Sequence, residues 1–352
     1  MKATLFAVAG FVGAAAVYWA MVPAGQQWFI RRFRTPHRLR RTTAALGVGM
    51  IAALVLCCLF PGQQAWLQVV VLLAGTGVVI GALVAPTLRI DHTLATQRRK
   101  VLAIGAHPDD LELACGATLA KLVDAGHEVR TVVMNTGGRG GDSAVRVAEA
   151  ATGSDFMGAS EVQVHDFRDT SLSDHGQEMV QVIESLMSTF RPDVVITHSG
   201  NDYHQDHQAV HAATMRAARQ HSSILCFESP SSTRHFNPSV FVDIEGYVDV
   251  KIQAVAMHRN QKGKPYMSAE RVRSLAAFRG SQVKTSYAEG FEPVRLLGSA
   301  VGGVLSTAAG LVLGGPGQGI PGRPWQCSGS SVRHVLVAQP VVVLIVERTE
   351  LR

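Results

Sequence analysis

Three long apolar segments at the start of the chain constrain its architecture more than any other feature. They cover residues 3–22, 42–60 and 65–85, and each has about the length that a helix needs to cross a bilayer. The first segment follows Lys2, as in a secretory signal, but it is long, lacks a convincing small-residue cleavage site and is followed by further apolar segments. Residues 1–99 are therefore predicted to be a membrane anchor of three transmembrane helices.

The basic residues are concentrated in this first part of the chain. Residues 1–100 contain 11 Lys and Arg and one acidic residue, whereas residues 101–352 contain 22 basic and 26 acidic residues. The positive net charge therefore reflects membrane topology, and no nucleic-acid partner is predicted. Six arginines between residues 31 and 41 and a second basic group around Lys100 flank the spans. Because positively charged loops stay in the cytoplasm, everything after Arg89 is predicted to be cytoplasmic, with the basic loop available to anionic membrane lipids.

From Lys100 onward, short apolar runs typical of strands alternate with stretches of helical periodicity. This alternation predicts an α/β fold, a Rossmann-like and mostly parallel sheet with helices on both faces, preceded by the all-α transmembrane region. Strands are expected at residues 101–104, 128–134, 162–164, 193–197, 224–227 and 240–244. Helices are expected at residues 111–123, 144–157, 179–190, 208–219, 248–258 and 269–279. The resulting domain covers residues 100–295.

Residues 296–352 form an extension whose role the sequence does not indicate. Residues 296–315 are uncharged and contain six glycines, which fits a fourth span, a re-entrant helix or a helix lying on the membrane. A glycine- and proline-rich linker at 314–324 precedes a β-rich stretch at 332–347, which is expected to form a terminal hairpin or edge strands.

The candidate chemistry begins at the first strand-to-helix turn, Gly105-Ala-His-Pro-Asp-Asp-Leu-Glu112. His107 and Asp110 are three residues apart, a spacing that lets both face one ion, while Asp109 points elsewhere and stays free as a base. Imidazole and carboxylate donors suit zinc, with iron as the alternative. The competing interpretation is an ordinary turn in which the histidine is satisfied locally and both aspartates cap the helix.

A third ligand is expected from the cluster Asp202-Tyr-His-Gln-Asp-His207, which follows the fourth predicted strand. In a parallel sheet the first and fourth strands can be neighbours across the switch point, so the two loops can meet. The glycine-rich segment 137–141 lacks the lysine and serine of a phosphate-binding loop, and no GxGxxG follows the first strand. Dinucleotide binding is therefore not expected, and the segment is interpreted as a flexible loop on the substrate side of the site.

These motifs together resemble the LmbE-like, or PIG-L, N-acetylglucosaminyl deacetylases. The resemblance covers about residues 100–295 and leaves out the apolar segments and the last part of the chain. It rests on Ala106-His-Pro-Asp-Asp-Leu-Glu-Leu-Ala-Cys-Gly116, Gly126-His-Glu-Val129 and Asp202–His207, with lesser marks at Thr136–Gly141, Arg146-Val-Ala-Glu149 and Lys251–Gln261.

The resemblance implies a zinc-dependent amidase and a role for each matching residue. His107, Asp110 and His207 would hold zinc, and Asp109 would take a proton from the attacking water. His204 would stabilise the oxyanion or protonate the leaving amine, with Asp206 holding its ring. Substrate binding would fall to Arg146 and His258.

The function expected from the sequence is a membrane-anchored, zinc-dependent hydrolase that removes the N-acetyl group from an N-acetylglucosamine-type conjugate. The substrate would be a small molecule or a glycolipid. One alternative is an amidase acting on another N-acyl or thiol-conjugate amide. The other, of a different class, is a non-catalytic, membrane-tethered sugar-binding module.

Overall fold

The architecture of the chain is a helical N-terminal region followed by an α/β domain. A computed structural model describes residues 2–60, 64–297 and 312–313. The predicted linker at 314–324, the hairpin at 332–347 and most of the possible fourth span at 296–315 lie outside the described residues. The predicted mostly parallel sheet with flanking helices is confirmed.

The N-terminal region contains four helices: α1 (Lys2–Met21), α2 (Pro23–Arg32), α3 (Pro36–Leu59) and α4 (Gln64–Val84). Among the described residues, two stretches are long and apolar enough to cross a membrane, Pro36–Leu59 and Val71–Leu88. A third candidate, at the first predicted span, is the pair Ala7–Met21 and Pro23–Arg32, which is bent by 78°. Length and composition thus support two of the three predicted spans directly.

The basic segment after α1, predicted as a loop, is largely helical. α2 ends at Arg32, and α3 begins at Pro36, six residues before the predicted start of the second span. Both helices carry proline in the first turn, where its missing N–H costs nothing and its fixed φ suits the helix. The loop was predicted because the arginines were interpreted only as a topology signal. The prolines that begin α2 and α3 were not recognised as helix starts.

The sheet of the described residues has eight strands in the order β3-β2-β1-β4-β5-β7-β6-β8, of which the first five are parallel. The pairing of β1 with β4 brings the two predicted motif loops to the same edge, as expected. The strands are β1 (Lys100–Gly105), β2 (Glu128–Val133), β3 (Glu161–Val164), β4 (Val194–His198), β5 (Ile224–Phe227), β6 (Val240–Asp243), β7 (Ala288–Arg295) and β8 (Val312–Leu313).

Helices cover both faces of this sheet. They are α5 (Asp110–Asp124), α6 (Ser143–Met157), α7 (Gly176–Phe190), α8 (Gln205–Ala217), α9 (Val248–Ala256) and α10 (Ala269–Gln282). β1 supplies side chains to two separate core layers: Val101 and Ala103 belong to one, and Leu102 and Ile104 to the other. Because both faces of β1 are buried, its sequence is a continuous apolar run rather than an alternating one.

β7 was not predicted, and it has a structural role at α5. It runs antiparallel between β5 and β6. The carboxylate of Glu289 accepts hydrogen bonds from the backbone N of Ala117 and Thr118, just after the non-helical residue Cys115 in α5. Lys251 of α9 donates to the same carboxylate at 2.5 Å. The kink in α5 is therefore stabilised by a buried ion pair contributed by two other elements.

The N-terminal helices dock on the α/β domain at the C-terminal end of α5. Arg31 donates to both carboxylate oxygens of Asp124, at 2.8 and 2.9 Å, and to the carbonyl oxygens of Phe156 and Met157. Ile30 is buried in the same core layer as Val101. The junction is thus a packed interface.

Candidate active site

The turn after β1 is closed by its own aspartate. Oδ2 of Asp110 accepts hydrogen bonds from the backbone N of Ala106 at 3.0 Å and of His107 at 2.6 Å. Asp109 occupies the N-cap position of α5, yet its side chain makes no cap hydrogen bond. Its Oδ1 accepts instead from Nη2 of Arg146 at 2.9 Å. The alternative interpretation, an ordinary turn in which both aspartates cap the helix, is therefore wrong for Asp109.

His107, Asp110 and His207, from the two loops, form a triangle of close contacts in which each Asp110 oxygen faces a different histidine. Nδ1 of His107 lies 3.3 Å from Nε2 of His207 and 3.3 Å from Oδ2 of Asp110. Oδ1 of Asp110 lies 3.4 Å from Nε2 of His207. Ligands about 2.0–2.1 Å from a tetrahedral zinc ion are separated by about 3.3 Å. The arrangement therefore fits a metal ion bound by three protein ligands, with a coordination position left for water.

The outward ring nitrogens of both histidines face carboxylates. Nε2 of His107 lies 3.2 Å from Oδ2 of Asp206, and Nδ1 of His207 lies 2.9 Å from Oδ2 of Asp202. Histidines that bind metals usually donate their other N–H to a carboxylate or carbonyl, which fixes the tautomer and the ring orientation. This pattern is a second feature of a metal site and independent of the triangle.

Burial and these carboxylates have opposite effects on the pKa values of His107 and His207. Burial disfavours the charged form of His207, but Asp110 and Asp202 outweigh it and raise its pKa to about 9. The pKa of His107 is likewise raised, because Asp110, Asp169 and Asp206 outweigh its burial. Both rings sit in a field that favours positive charge, as a cation site requires.

His198, at the end of β4, is a further possible ligand, in addition to His107, Asp110 and His207. It belongs to one of three overlapping groups of His and Asp side chains, among the described residues, whose ligand atoms all lie within 4.8 Å: His107 with His204 and His207, Asp110 with His198 and His207, and His107 with Asp169 and Asp206. However, Nε2 of His198 already accepts a hydrogen bond from the backbone N of Ala106 at 2.9 Å. Burial and the neighbouring His207 lower the pKa of His198 to about 4. We therefore interpret His198 as a neutral side chain that stabilises the turn after β1, rather than as a metal ligand.

Asp206 does not hold the ring of His204, contrary to the sequence-based expectation. Its carboxylate contacts His107 and accepts from the backbone N of Thr170 and Leu172, at 2.8 and 3.1 Å. The reason is local: His204 is the N-cap of α8, and its Nδ1 accepts from the backbone N of Asp206 at 3.2 Å. The ring of His204 stacks on His207 with centroids 4.5 Å apart.

A cavity of about 380 Å³ opens over these groups. Its lining includes the predicted residues His107, Asp109, Asp110, Arg146, His204 and His207. His258 is not among the lining residues, since it is buried with its Nε2 3.4 Å from Glu112. The glycine-rich segment lines the cavity through Arg139 and Gly140, as expected of a loop on the substrate side.

Several residues of the site were not predicted from the sequence. Asp169 lies beside His107, Asp202 orients His207, and hydroxyls of Ser229 and Ser231 donate to Asp202. Lys264 and Tyr266 complete the cavity from a distant loop. The only signal for Asp169 was a carboxylate in the loop after a parallel strand, and Asp202 belonged to the predicted cluster without a predicted role of its own. For Lys264 and Tyr266 the sequence carried no such signal.

Comparisons with known proteins agree with this geometry. The family model PIG-L, described as GlcNAc-PI de-N-acetylase, matches residues 102–218. An uncharacterized deacetylase of Escherichia coli strain K12, YaiS, is 38% identical over 173 residues, which are 47% of this chain and 94% of that protein. The diacetylchitobiose deacetylase of Thermococcus kodakarensis is 26% identical over 224 residues, covering 54% of this chain and 82% of that protein.

A solved structure has the same fold. The conserved protein TT1542 from Thermus thermophilus superimposes with a TM-score of 0.52 and 25% identity, over 56% of this chain and 96% of that one. The resemblance inferred from the sequence motifs is confirmed. The chain belongs to the PIG-L family of deacetylases, which are hydrolases of amide bonds.

Proposed function

We propose that the protein is a zinc-dependent N-deacetylase that hydrolyses the acetamide of an N-acetylglucosamine-type conjugate. The observation that carries this proposal is the triangle of His107 Nδ1, Asp110 and His207 Nε2 beside the cavity that Asp109 also lines. Metal ligands and an adjacent carboxylate are what metal-assisted amide hydrolysis requires.

His107, Asp110 and His207 are proposed to hold zinc, with iron as the alternative ion. The donor set of two imidazoles and one carboxylate suits either. Zinc in such a site supplies a water whose pKa is lowered to about 7 and a Lewis acid that polarises the amide carbonyl. Asp206 and Asp202 hold the two histidine rings in the orientation in which Nδ1 and Nε2, respectively, face the ion.

Asp109 is proposed as the general base. Its Oδ1 is bound by Arg146, which leaves Oδ2 to take a proton from water at the amide carbon. Arg146 also donates from Nη1 to the carbonyl oxygen of Gly137 at 2.7 Å, so its guanidinium is fixed at two points. This geometry supports a positioning role for Arg146 alongside the predicted contact with the sugar.

His204 is proposed to donate a hydrogen bond to the oxyanion. Because its Nδ1 accepts from the backbone N of Asp206, the neutral ring carries its proton on Nε2. A neutral N–H donor beside the ligands can stabilise negative charge on the former carbonyl oxygen without a change in protonation. This tautomer favours the oxyanion role over protonation of the leaving amine.

The cavity volume supports a substrate with one sugar unit in the site. At about 380 Å³ the cavity is near the lower end of the range of about 300–1,000 Å³ for small-molecule sites. The match to the diacetylchitobiose deacetylase supports an N-acetylated amino sugar in particular. The alternative substrate, another N-acyl or thiol-conjugate amide, would use the same ligands and base.

Amine release and metal content together test this function. The full-length protein is incubated with N-acetylglucosamine glycosides and with soluble N-acyl amides, and free amine is measured. We expect release from the sugar substrates, and loss of that release in Asp109→Ala with zinc retained. If Asp109→Ala hydrolysed at the wild-type rate, the catalytic mechanism would be wrong; if the protein bound the sugars without any hydrolysis, the non-catalytic alternative would replace it.

We further propose that residues 1–99 anchor the enzyme in a membrane with residues 100–295 in the cytoplasm. The two long apolar helices and the arginines around their ends support this. Reporter fusions ending after Lys100 are expected to show cytoplasmic and no external activity. External activity of the reporter would reverse the orientation.

A further inference from the structure

Two cationic side chains line the active-site cavity on the side of its loops. Arg139 comes from the glycine-rich segment between β2 and α6, and Lys264 from the loop between α9 and α10. A Cβ on Gly140, the residue after Arg139, would lie 3.5 Å from Nζ of Lys264. Two elements far apart in sequence therefore bring positive charge to the same cavity.

The backbone that carries these cations is held in place. The N of Arg139 donates to Oδ2 of Asp169 at 2.7 Å, and the N of Gly140 donates to the carbonyl oxygen of Gly137 at 3.0 Å. Nε2 of Gln261 reaches from the other loop to the carbonyl oxygen of Gly140 at 3.2 Å. The segment that was expected to be flexible is thus tied to the loop of Lys264 and to Asp169.

The ammonium of Lys264 faces an aromatic ring, since its Nζ lies 5.8 Å from the ring centroid of Tyr266. In the part of the chain that the structure describes, neither Arg139 nor Lys264 forms a side-chain ion pair, in contrast to Arg146, which is paired with Asp109. Asp169, which also lines the cavity, contacts His107 through Oδ1 and the backbone of Arg139 through Oδ2. A guanidinium and an ammonium at one cavity wall suit an anion with several oxygen atoms.

We propose that Arg139 and Lys264 bind a phosphate group carried by the amino-sugar substrate, a specificity that rests on the proposed deacetylase function. The acetamide then lies at the metal ligands and Asp109, and the phosphate lies against the two cations. The phosphate belongs either to a soluble sugar phosphate or to a phospholipid-linked sugar.

Matched substrates and variants test this pair. For the full-length protein in detergent, kcat/KM is measured for N-acetylglucosamine 1-phosphate, a phospholipid-linked N-acetylglucosamine and the neutral methyl N-acetylglucosaminide. We expect at least one phosphorylated substrate to be preferred about tenfold or more over the methyl glycoside. Arg139→Gln and Lys264→Gln should each reduce this preference about tenfold, the range for one charged hydrogen bond. Lys264→Arg should retain most of it, and Lys262→Gln, on the same loop but outside the cavity lining, should leave it unchanged.

The faster of the two phosphorylated substrates identifies the source of the phosphate. Equal kcat/KM values for charged and neutral substrates, or a preference that survives in both glutamine variants, would overturn the proposal and leave the deacetylase function intact. Calorimetric binding of the product-like glucosamine 1-phosphate, against methyl glucosaminide, separates the two ideas. Selective binding that is lost in the variants, without amine release from any substrate, would support the phosphate site and refute the proposed function.

Discussion

Nη2 of Arg146 donates to Oδ1 of Asp109 at 2.9 Å, and both side chains are almost fully buried, at 3% and 6% exposure. The arginine comes from α6 and the aspartate from the turn before α5, so this contact joins α6 to that turn beside the proposed metal ligands. Oδ1 of Asp109 is therefore fixed by Arg146, and Oδ2 remains available for the proposed proton transfer.

Replacing Arg146 should therefore impair catalysis more than metal binding. We expect Arg146→Gln to lower kcat about 100-fold, as for other misplaced catalytic groups, while zinc content stays that of the wild type. Asp109→Asn should lower kcat by about 10²–10⁴-fold. Arg271→Gln, an exposed arginine on α10, serves as control. Steady-state kinetics with metal analysis makes the comparison, and loss of zinc in Arg146→Gln would contradict the assigned role.

Asp202 should control the affinity for metal without binding it. Removing the carboxylate partner of a metal-binding histidine typically weakens binding about 10–100-fold. We expect that loss for Asp202→Ala, because Nδ1 of His207 would lose its acceptor. Competition with a zinc chelator measures the affinity, and the exposed Asp155→Ala should match the wild type. An unchanged affinity in Asp202→Ala would show that the ring of His207 is held by other contacts.

Gly137 should tolerate no side chain. Its φ is +70°, and a Cβ there would lie 2.1 Å from Nη1 of Arg146. Gly137→Ala should cost about 1–3 kcal/mol in free energy of unfolding and also lower kcat, because Arg146 must move away from Asp109. Denaturant unfolding and kinetics are measured on the same preparation. Gly176→Ala, where the nearest atom to a Cβ is 4.0 Å away, should lower neither quantity.

The docking of the N-terminal helices should depend on Arg31. Its side chain and that of Asp124 are about one-fifth exposed, and four hydrogen bonds meet at the guanidinium. Arg31→Ala is expected to lower the free energy of unfolding by about 2–3 kcal/mol, somewhat less than for a fully buried pair. The thermal unfolding midpoint would report it, with the exposed Arg38→Ala as reference. Identical midpoints for the two variants would mean that Ile30 and its apolar neighbours alone hold the junction.

Much of the domain could be predicted because its signals are local. The buried run Val101–Ile104 and the periodic helices identified the sheet, and the pairing of β1 with β4 follows from the rules for parallel sheets. β7 escaped prediction because Ala288–Arg295 contains three charged residues and a proline and so lacks an apolar pattern. Two of the charged residues make specific contacts: Glu289 accepts from α5, and Glu292 accepts from Ser199.

The meeting of the two motifs at His107, Asp110 and His207 was predictable, because parallel neighbouring strands place their loops at one edge of the sheet. Partners that reach the site from remote loops were not, because no spacing links Lys264 or Tyr266 to the turn after β1. The role of Asp206 was misassigned for a related reason. Its direction depends on the N-cap geometry of His204, which residue types alone do not specify.

α5 begins at the proposed ligand Asp110 and ends at Asp124, which binds Arg31 of the N-terminal helices. Fifteen residues at 1.5 Å each span at most about 22 Å, so the contact with the N-terminal helices and the proposed site lie at opposite ends of one kinked helix. Such a layout is modular. The N-terminal helices can be exchanged or lost, during evolution or by protein engineering, while the proposed ligands at the other end of α5 keep their positions.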